Sequence, residues 1–197
     1  MIIYSQFLAG DYLDDLSICD DIIEFHKNTE HKKPGRVWGG LNLNMKNSMD
    51  VSLDRDEGLY LRYTTSMKKV VDMYRELYPW CDYYCPWGLV EGINVQYYPP
   101  GGGYFIWHAE RTGPDVTLPD RYNLGSSRHL VFMTYLNDVT EGGETEWANQ
   151  DIKIQPKKGL TVIWPADWTF THRGVPSHTQ EKYIATGWLN YIPGNKP

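Results

Sequence analysis

The chain has 197 residues, a formal net charge of −6, and 41% hydrophobic and 22% charged residues. This composition excludes a largely disordered chain, and the length suits one domain with a sizeable core. The acidic balance, without a long lysine- or arginine-rich run, argues against a nucleic-acid partner. We therefore expect a single domain over residues 1–197.

The N-terminus and the cysteines indicate where such a chain works. Residues 1–10 have no basic start before their apolar stretch, which argues against a signal peptide, and no apolar run reaches membrane-spanning length. Cys19, Cys81 and Cys85 have no second Cys or His pair at zinc-like spacing, so we expect reduced cysteines. The sequence predicts a cytoplasmic protein without membrane contact and leaves its oligomeric state open.

Two helices are predicted in the first part of the chain. Apolar residues recur at helical spacing over residues 13–25 and again over 57–78, where Pro79 ends the second helix. The second apolar stripe comprises Leu61, Met67, Val70, Val71, Tyr74 and Leu77. Residues 37–53 between the helices are rich in Gly, Asn and Met and predict loops with a short strand.

After Pro86, short β-branched and aromatic runs alternate with turn residues. The predicted strands are 90–98, 104–109, 129–136, 151–154, 160–164, 169–172 and 182–191. Helices followed by many short strands predict a mainly β fold with flanking helices, most naturally a cupin-like jelly-roll. Within it, we expect a helical support region over residues 1–86 and a catalytic β core over 87–197.

A candidate metal site follows from three residues. His108 and Glu110 stand at i and i+2 of a predicted strand, so their side chains share a face, and His172 lies at the end of a later predicted strand. Two histidines and one carboxylate occupy one face of octahedral Fe(II) and leave three positions open, two for a chelating oxo-acid and one for dioxygen. Zinc accepts the same ligands and would imply hydrolysis or a structural role, so the residues alone leave the metal open.

A candidate anion-binding cation lies ten residues after His172, at Lys182. The intervening segment predicts a turn between antiparallel strands, which would bring Lys182 back beside the metal. There it would pair with the far carboxylate of a metal-chelated dicarboxylate. A lysine on the solvent face of a strand is the alternative, and this residue taken alone favours that alternative.

Over residues 97–191 these motifs, in this order, resemble the prolyl 4-hydroxylase-like branch of the Fe(II)/2-oxoglutarate oxygenases. The motifs are Tyr-Pro-Pro-Gly-Gly-Gly-Tyr at 98–104, His108-x-Glu110, Arg128, Tyr-Leu-Asn at 135–137, Gly-Gly-Glu-Thr at 142–145, Pro-Lys-Lys-Gly at 156–159, His172, Lys182 and Trp188.

The resemblance implies a double-stranded β-helix that holds Fe(II) on His108, Glu110 and His172. It implies that Lys182 pairs with the distal carboxylate of 2-oxoglutarate. The other residues expected at the site are Tyr98 and Thr134 beside that co-substrate, and Tyr104, Trp107, Arg128 and Trp188 beside the substrate. The implied activity is hydroxylation of a C–H bond, foremost in a prolyl residue of a polypeptide, coupled to decarboxylation of 2-oxoglutarate to succinate. Dioxygen is the oxidant, and ascorbate is a candidate reductant.

Two departures from the family pattern keep alternatives open. Glu110 stands where the family has Asp, and the segment 104–108 is one residue longer, which a β-bulge would accommodate. One alternative is a hydroxylase of a free amino acid or other small molecule, with Arg128 or Arg173 holding the substrate carboxylate. The other is a non-catalytic cupin-like binding module. We also expect residues 101–103 and 115–127 to flank the site as a turn and a lid.

Overall fold

The computed structural model describes residues 1–37, 40–113 and 124–192. Within them, the helices are α1 (Ser17–Asn28), α2 (Glu57–Leu77) and α3 (Leu124–Ser127), with 3-10 turns at Leu53–Arg55, Pro79–Asp82 and Trp168–Phe170. The strands are β1 (Ile2–Ser5), β2 (Leu8–Tyr12), β3 (Lys33–Pro34), β4 (Met49–Ser52), β5 (Trp87–Leu89), β6 (Asn94–Tyr98), β7 (Arg128–Tyr135), β8 (Thr145–Trp147), β9 (Ile152–Ile154), β10 (Leu160–Pro165), β11 (His172–Gly174) and β12 (Lys182–Tyr191).

The described strands form two antiparallel sheets. The main sheet has the order β1-β2-β10-β7-β12-β6-β4-β3, with β5 paired to the end of β12, and the second sheet has the order β11-β8-β9. An isolated backbone bridge between His108 and His172 adds one more pairing beside β11. The two sheets pack through a shared apolar cluster that includes Met133 of β7 and Trp147 of β8. This arrangement confirms the predicted jelly-roll with supporting helices.

Strand β7 lies between the two layers of the core, and its side chains alternate between them. Leu130 and Phe132 belong to the cluster that packs against α1 and α2, whereas Val131, Met133 and Tyr135 belong to the cluster between the sheets. Successive side chains of a strand point to opposite faces, so from Leu130 to Tyr135 the odd-numbered residues face the interior of the jelly-roll and the even-numbered residues face the helices. Arg128, at the start of the strand, lines the cavity instead, and the register with β12 shifts at that end.

Both predicted helices are confirmed. The side chain of Asp56 accepts a hydrogen bond from the backbone N–H of Leu59 at 3.0 Å and caps the start of α2. The helix ends at Leu77, just before the residue that precedes Pro79. The predicted apolar stripe is wrong at its two ends, because Leu61 is 64% exposed and Leu77 is 37% exposed.

Residues 1–86, predicted as a helical support region with one short strand over 37–53, contain more strands than predicted. Strands β1 to β4 precede residue 87, and all four belong to the main sheet. The hairpin of β1 and β2 extends one side of that sheet by pairing β2 with β10. The single-domain organisation over residues 1–197 stays a prediction.

Two predicted strands that carry metal ligands are also wrong in detail. Residues 104–109 make no continuous strand, because the backbone N–H of Phe105 binds Met45 whereas that of His108 binds His172. The run therefore crosses from one partner segment to another. Likewise, residues 168–170 form a 3-10 turn capped by the side chain of Asp167, so β11 begins at His172 rather than ending there.

Two further expectations concern the membrane and the lid. No described helix is both long and apolar enough to cross a membrane. Of the predicted lid, residues 115–123 lie outside the described residues, and residues 124–127 form α3.

Candidate metal centre

The three predicted ligands converge. The Nε2 atoms of His108 and His172 each lie 3.5 Å from Oε1 of Glu110, and the ligand atoms of the three residues all lie within 4.8 Å of one another. The backbones of the two histidines are tied by reciprocal N–H···O hydrogen bonds of 3.0 and 2.9 Å. This bridge between separate chain segments holds both imidazoles toward one point.

The protonation of these groups suits a divalent cation. The Nδ1 atoms of His108 and His172 lie 3.0 Å from the backbone carbonyls of Ile106 and Phe170. A carbonyl only accepts, so each Nδ1 carries a proton and each Nε2 is the ring nitrogen left to bind a metal. Burial, together with neighbouring His108, lowers the pKa of His172 and favours its neutral form.

Glu110 supplies the negative charge of the site. Burial raises the pKa of its carboxyl, but the two adjacent imidazoles outweigh burial and hold that pKa well below its usual value. The group is therefore an ionised carboxylate beside two imidazoles. This is the donor set that octahedral Fe(II) accepts while keeping open positions, so the residues present fit the metal.

Aromatic rings fix the two imidazoles. The ring of Tyr104 stacks on His108 with centroids 3.7 Å apart. Trp164 and Trp147 pack against His172 at 5.1 and 6.1 Å. Neither tryptophan was predicted as a site residue. The only sequence signal was that Trp164 ends the predicted strand 160–164, and Trp147 lies in β8, which was not predicted.

Lys182 is buried in the same cavity as the three metal ligands, a space of about 610 Å³. Its ammonium donates to the carbonyl of Gly143 at 2.9 Å and lies 5.0 Å from the ring centroid of Tyr98. No carboxylate of the described residues lies within ion-pair distance of it. Burial lowers the pKa of Lys182 to about 8, against an opposing effect of Glu144. A buried cation without an ion partner is a site for an anionic ligand.

Of the two residues predicted beside the co-substrate, Tyr98 lines the cavity and Thr134 does not; a contact of Tyr98 with 2-oxoglutarate stays a prediction. Tyr98 stands opposite Lys182 in the pairing of β6 with β12 and lines the cavity. Thr134 is even-numbered in β7 and therefore faces the helices, where its hydroxyl lies 2.7 Å from that of Tyr63. The prediction that Thr134 lines the co-substrate pocket is wrong, and Met133 lines the cavity in its place.

Trp107 was predicted as a substrate-side wall near the metal, but it is not among the residues that line the metal cavity. It lines a separate cavity of about 410 Å³, and its ring lies 4.5 Å from the guanidinium of Arg173. A contact of Trp107 with substrate stays a prediction.

Arg128 and Trp188, predicted beside the substrate, line the metal cavity, and both already have partners in the protein. The indole Nε1 of Trp188 donates to Oε2 of Glu110 at 2.9 Å. Arg128 makes a two-point ion pair with Glu91, at 2.8 and 2.7 Å. Sequence reasoning missed Glu91, which was placed within the predicted strand 90–98 and lies between β5 and β6, because a single acidic residue carries no motif.

Known proteins share both sequence and fold with this chain. The family described as the 2OG-Fe(II) oxygenase superfamily matches residues 93–190. Probable prolyl 4-hydroxylase 9 of Arabidopsis thaliana is 28% identical over 122 residues, covering 50% of this chain and 40% of that protein. The human prolyl 4-hydroxylase subunit alpha-1 is 26% identical over 110 residues, covering 51% of this chain and 20% of that protein. The match thus spans less than half of either curated relative.

Solved structures share the fold over nearly the whole chain. A viral collagen prolyl hydroxylase from Paramecium Bursaria Chlorella virus-1, in complex with 2OG, has a TM-score of 0.66 at 20% identity, covering 94% of this chain and 97% of its own. A Pseudomonas putida prolyl-4-hydroxylase has a TM-score of 0.68 at 15% identity, covering 95% and 94%. A Trichoplax adhaerens prolyl hydroxylase in complex with a hypoxia inducible factor peptide fragment has a TM-score of 0.67 at 18% identity, covering 93% and 82%.

Proposed function

Because the chain belongs to the 2OG-Fe(II) oxygenase superfamily, we propose that it hydroxylates a C–H bond of a prolyl residue within a polypeptide and couples this step to conversion of 2-oxoglutarate to succinate. The family implies Fe(II) and 2-oxoglutarate. The observation that carries the proposal is the buried, ion-unpaired Lys182 in the same cavity as His108, Glu110 and His172.

Each residue of the cavity has a separate task in this proposal. His108, Glu110 and His172 would hold Fe(II), which when bound supplies the oxidation of the C–H bond by dioxygen at the expense of the 2-oxo acid. Lys182 would pair with the distal carboxylate of 2-oxoglutarate, and Tyr98 would close the pocket beside it. Because both are buried, this end of the cavity excludes water and strengthens the charge pairing.

The ion pairs of two arginines favour a polypeptide substrate over a free amino acid. A free amino acid would need a cation for its carboxylate, and Arg128 and Arg173 were the candidates. Arg128 is paired with Glu91 at 2.7 Å, and Arg173 is paired with Glu146 at 2.7 Å. The relatives named as prolyl hydroxylases point the same way. We include ascorbate in the proposal as the reductant. We do not propose a nucleic-acid substrate.

The proposal is tested by incubating the protein with Fe(II), 2-oxoglutarate, ascorbate and a panel of proline-containing peptides. We expect succinate and a peptide mass gain of one oxygen atom, both lost in His172→Ala and both kept in the exposed control His31→Ala. Oxygen transfer to free amino acids alone would instead support the small-molecule hydroxylase. Binding of 2-oxoglutarate without any succinate would support the non-catalytic binding module.

A further inference from the structure

Glu110 lies on an irregular stretch of backbone. Residues 109–113 belong to no strand, and the backbone N–H of Glu110 binds the carbonyl of Ala166 at 3.1 Å. Its side chain has one more rotatable bond than Asp, so its carboxylate has more orientations to lose on binding a cation. Other groups must therefore select the orientation in which Oε1 faces both imidazoles.

Trp188 makes the first of these contacts. Its indole Nε1 donates to Oε2 of Glu110 at 2.9 Å, while Oε1 lies 3.5 Å from both histidine Nε2 atoms. The two carboxylate oxygens thus have different tasks. One is held by the indole, and the other is left for the metal.

Arg128 holds both the indole and the Glu110 backbone. Its guanidinium lies 3.6 Å from the ring centroid of Trp188, and its Nη1 donates to the backbone carbonyl of Glu110 at 3.0 Å. The same Nη1 lies 3.6 Å from Oε2 of Glu110. A stacked guanidinium fixes the plane of the indole and so aims its N–H.

Glu91 in turn fixes the guanidinium. It accepts from Nε and Nη2 of Arg128 at 2.8 and 2.7 Å, and from Nδ2 of Asn190 at 2.9 Å. The side chains of Glu91 and Arg128 are only 12% and 17% exposed, so little solvent screens this two-point pair.

We propose that Glu91, Arg128 and Trp188, here called the carboxylate clamp, position Glu110 for metal binding and thereby compensate for its extra methylene relative to Asp. The inference rests on the proposed function in one respect, namely that Glu110 is a metal ligand. It assigns Glu91, which is not among the residues that line the metal cavity, as a positioning residue. It also gives Arg128 and Trp188 a task other than substrate contact.

The test measures the dissociation constant of Co(II), a probe of the site that needs no turnover. The variants are Glu91→Gln, Arg128→Lys and Trp188→Phe, with Glu24→Gln and Trp80→Phe as exposed controls. Loss of groups that orient a metal ligand weakens binding by about 10- to 100-fold, and we expect that range for all three clamp variants. The controls should bind Co(II) as the wild type does. Thermal unfolding of each metal-free variant verifies folding, and the two remaining clamp variants decide the matter if one fails to fold.

A double-mutant cycle separates positioning from a general structural effect. In the Glu110→Asp background the shorter carboxylate cannot reach both the metal position and the indole of Trp188. There we expect Trp188→Phe and Glu91→Gln to change the Co(II) dissociation constant by less than about threefold, against 10- to 100-fold in the Glu110 background. A structural role would give equal effects in both backgrounds.

The outcomes distinguish this inference from the proposed function. Clamp variants that bind Co(II) within twofold of the wild type, or that raise only the KM for peptide, would overturn the clamp while succinate formation by the wild type still supports the oxygenase. Equal effects in both backgrounds would also overturn it. A folded wild type that binds no Co(II) and forms no succinate would overturn both.

Discussion

The ammonium of Lys182 and the backbone carbonyl of Gly143 lie 2.9 Å apart and form the one hydrogen bond recorded for that ammonium among the described residues. A hydrogen bond to a neutral carbonyl offsets only part of the free energy lost when a cation is buried. The folded protein therefore carries an unfavourable charge whose best partner is a ligand carboxylate. If Lys182 binds 2-oxoglutarate as proposed, stability and co-substrate binding make opposite demands on this residue.

The first prediction is that Lys182→Met stabilises the protein and abolishes binding of 2-oxoglutarate. Burial lowers the pKa of Lys182 from 10.5 to about 8, so protonation is less favourable in the folded than in the unfolded state. At pH 7 this difference costs the folded state about 3 kcal/mol, at 1.36 kcal/mol for each pH unit between the two values. Methionine has a similar length and no charge. Denaturant unfolding should show a gain of up to that amount, and calorimetry should show no co-substrate binding.

A matched control for this prediction is Lys68→Met, because Lys68 is exposed on α2. We expect that variant to change the free energy of unfolding by no more than about 0.5 kcal/mol. A destabilised Lys182→Met that still binds 2-oxoglutarate would place the anchoring cation elsewhere.

The second prediction concerns pH. A lysine with a pKa of about 8 is mostly charged at pH 7 and mostly neutral at pH 9. Only the charged form pairs with a carboxylate, so binding is strong below the pKa and is lost as the pH rises through it. We expect the dissociation constant of 2-oxoglutarate for the manganese-loaded protein to rise roughly tenfold between pH 7 and pH 9.

The variant Lys182→Arg distinguishes titration of Lys182 from titration of any other group. Arginine stays charged over the whole range, so its weaker binding should be nearly independent of pH. An equal fall in affinity in wild type and Lys182→Arg would assign the pH dependence to another group.

Sequence reasoning succeeded where a local signal was strong. Pro79 and the apolar periodicity before it located the end of α2, and the run of β-branched and aromatic residues located β12. The His108 and Glu110 pair was recognisable because its spacing has a chemical meaning. Each of these features can be recognised from a few residues that are adjacent in the sequence.

The rest depended on tertiary contacts. Whether Thr134 or Met133 faces the cavity is decided by strand register, and a change of one residue reverses the face. The ion pair of Glu91 with Arg128 joins residues 37 positions apart, and no local sequence pattern indicates it. Strand β1 is half exposed at the side of the sheet and becomes a strand through its pairing with β2.

The third prediction follows from the orientation of Thr134. Its hydroxyl lies 2.7 Å from that of Tyr63 and 2.6 Å from that of Thr161, all within the core. Thr134→Val keeps the shape but leaves buried hydroxyls with fewer partners, at a cost of about 1–3 kcal/mol. We expect denaturant unfolding to show this loss and calorimetry to show unchanged 2-oxoglutarate affinity.

Met133→Ala provides the contrast, because Met133 lines the cavity on the opposite face of the same strand. Its co-substrate affinity should fall. If Thr134→Val weakens 2-oxoglutarate binding as much as Met133→Ala does, the orientation of β7 described above is contradicted.

The last prediction ranks substitutions of Glu110. Glu110→Gln keeps the length of the side chain and the acceptor for Trp188, but it removes the negative charge beside the two imidazoles. Glu110→Asp keeps the charge but loses the contact with the indole. Charge contributes more than one methylene to binding a divalent cation, so we expect Co(II) affinity to fall in the order wild type, Glu110→Asp, Glu110→Gln. Succinate formation should follow the same order, with Glu110→Gln losing most of it, while the exposed control Glu24→Gln matches wild type in both assays. A Glu110→Gln variant equal to wild type would mean that the carboxylate ligand is another residue, with Asp115 and Asp120, outside the described residues, the next to substitute.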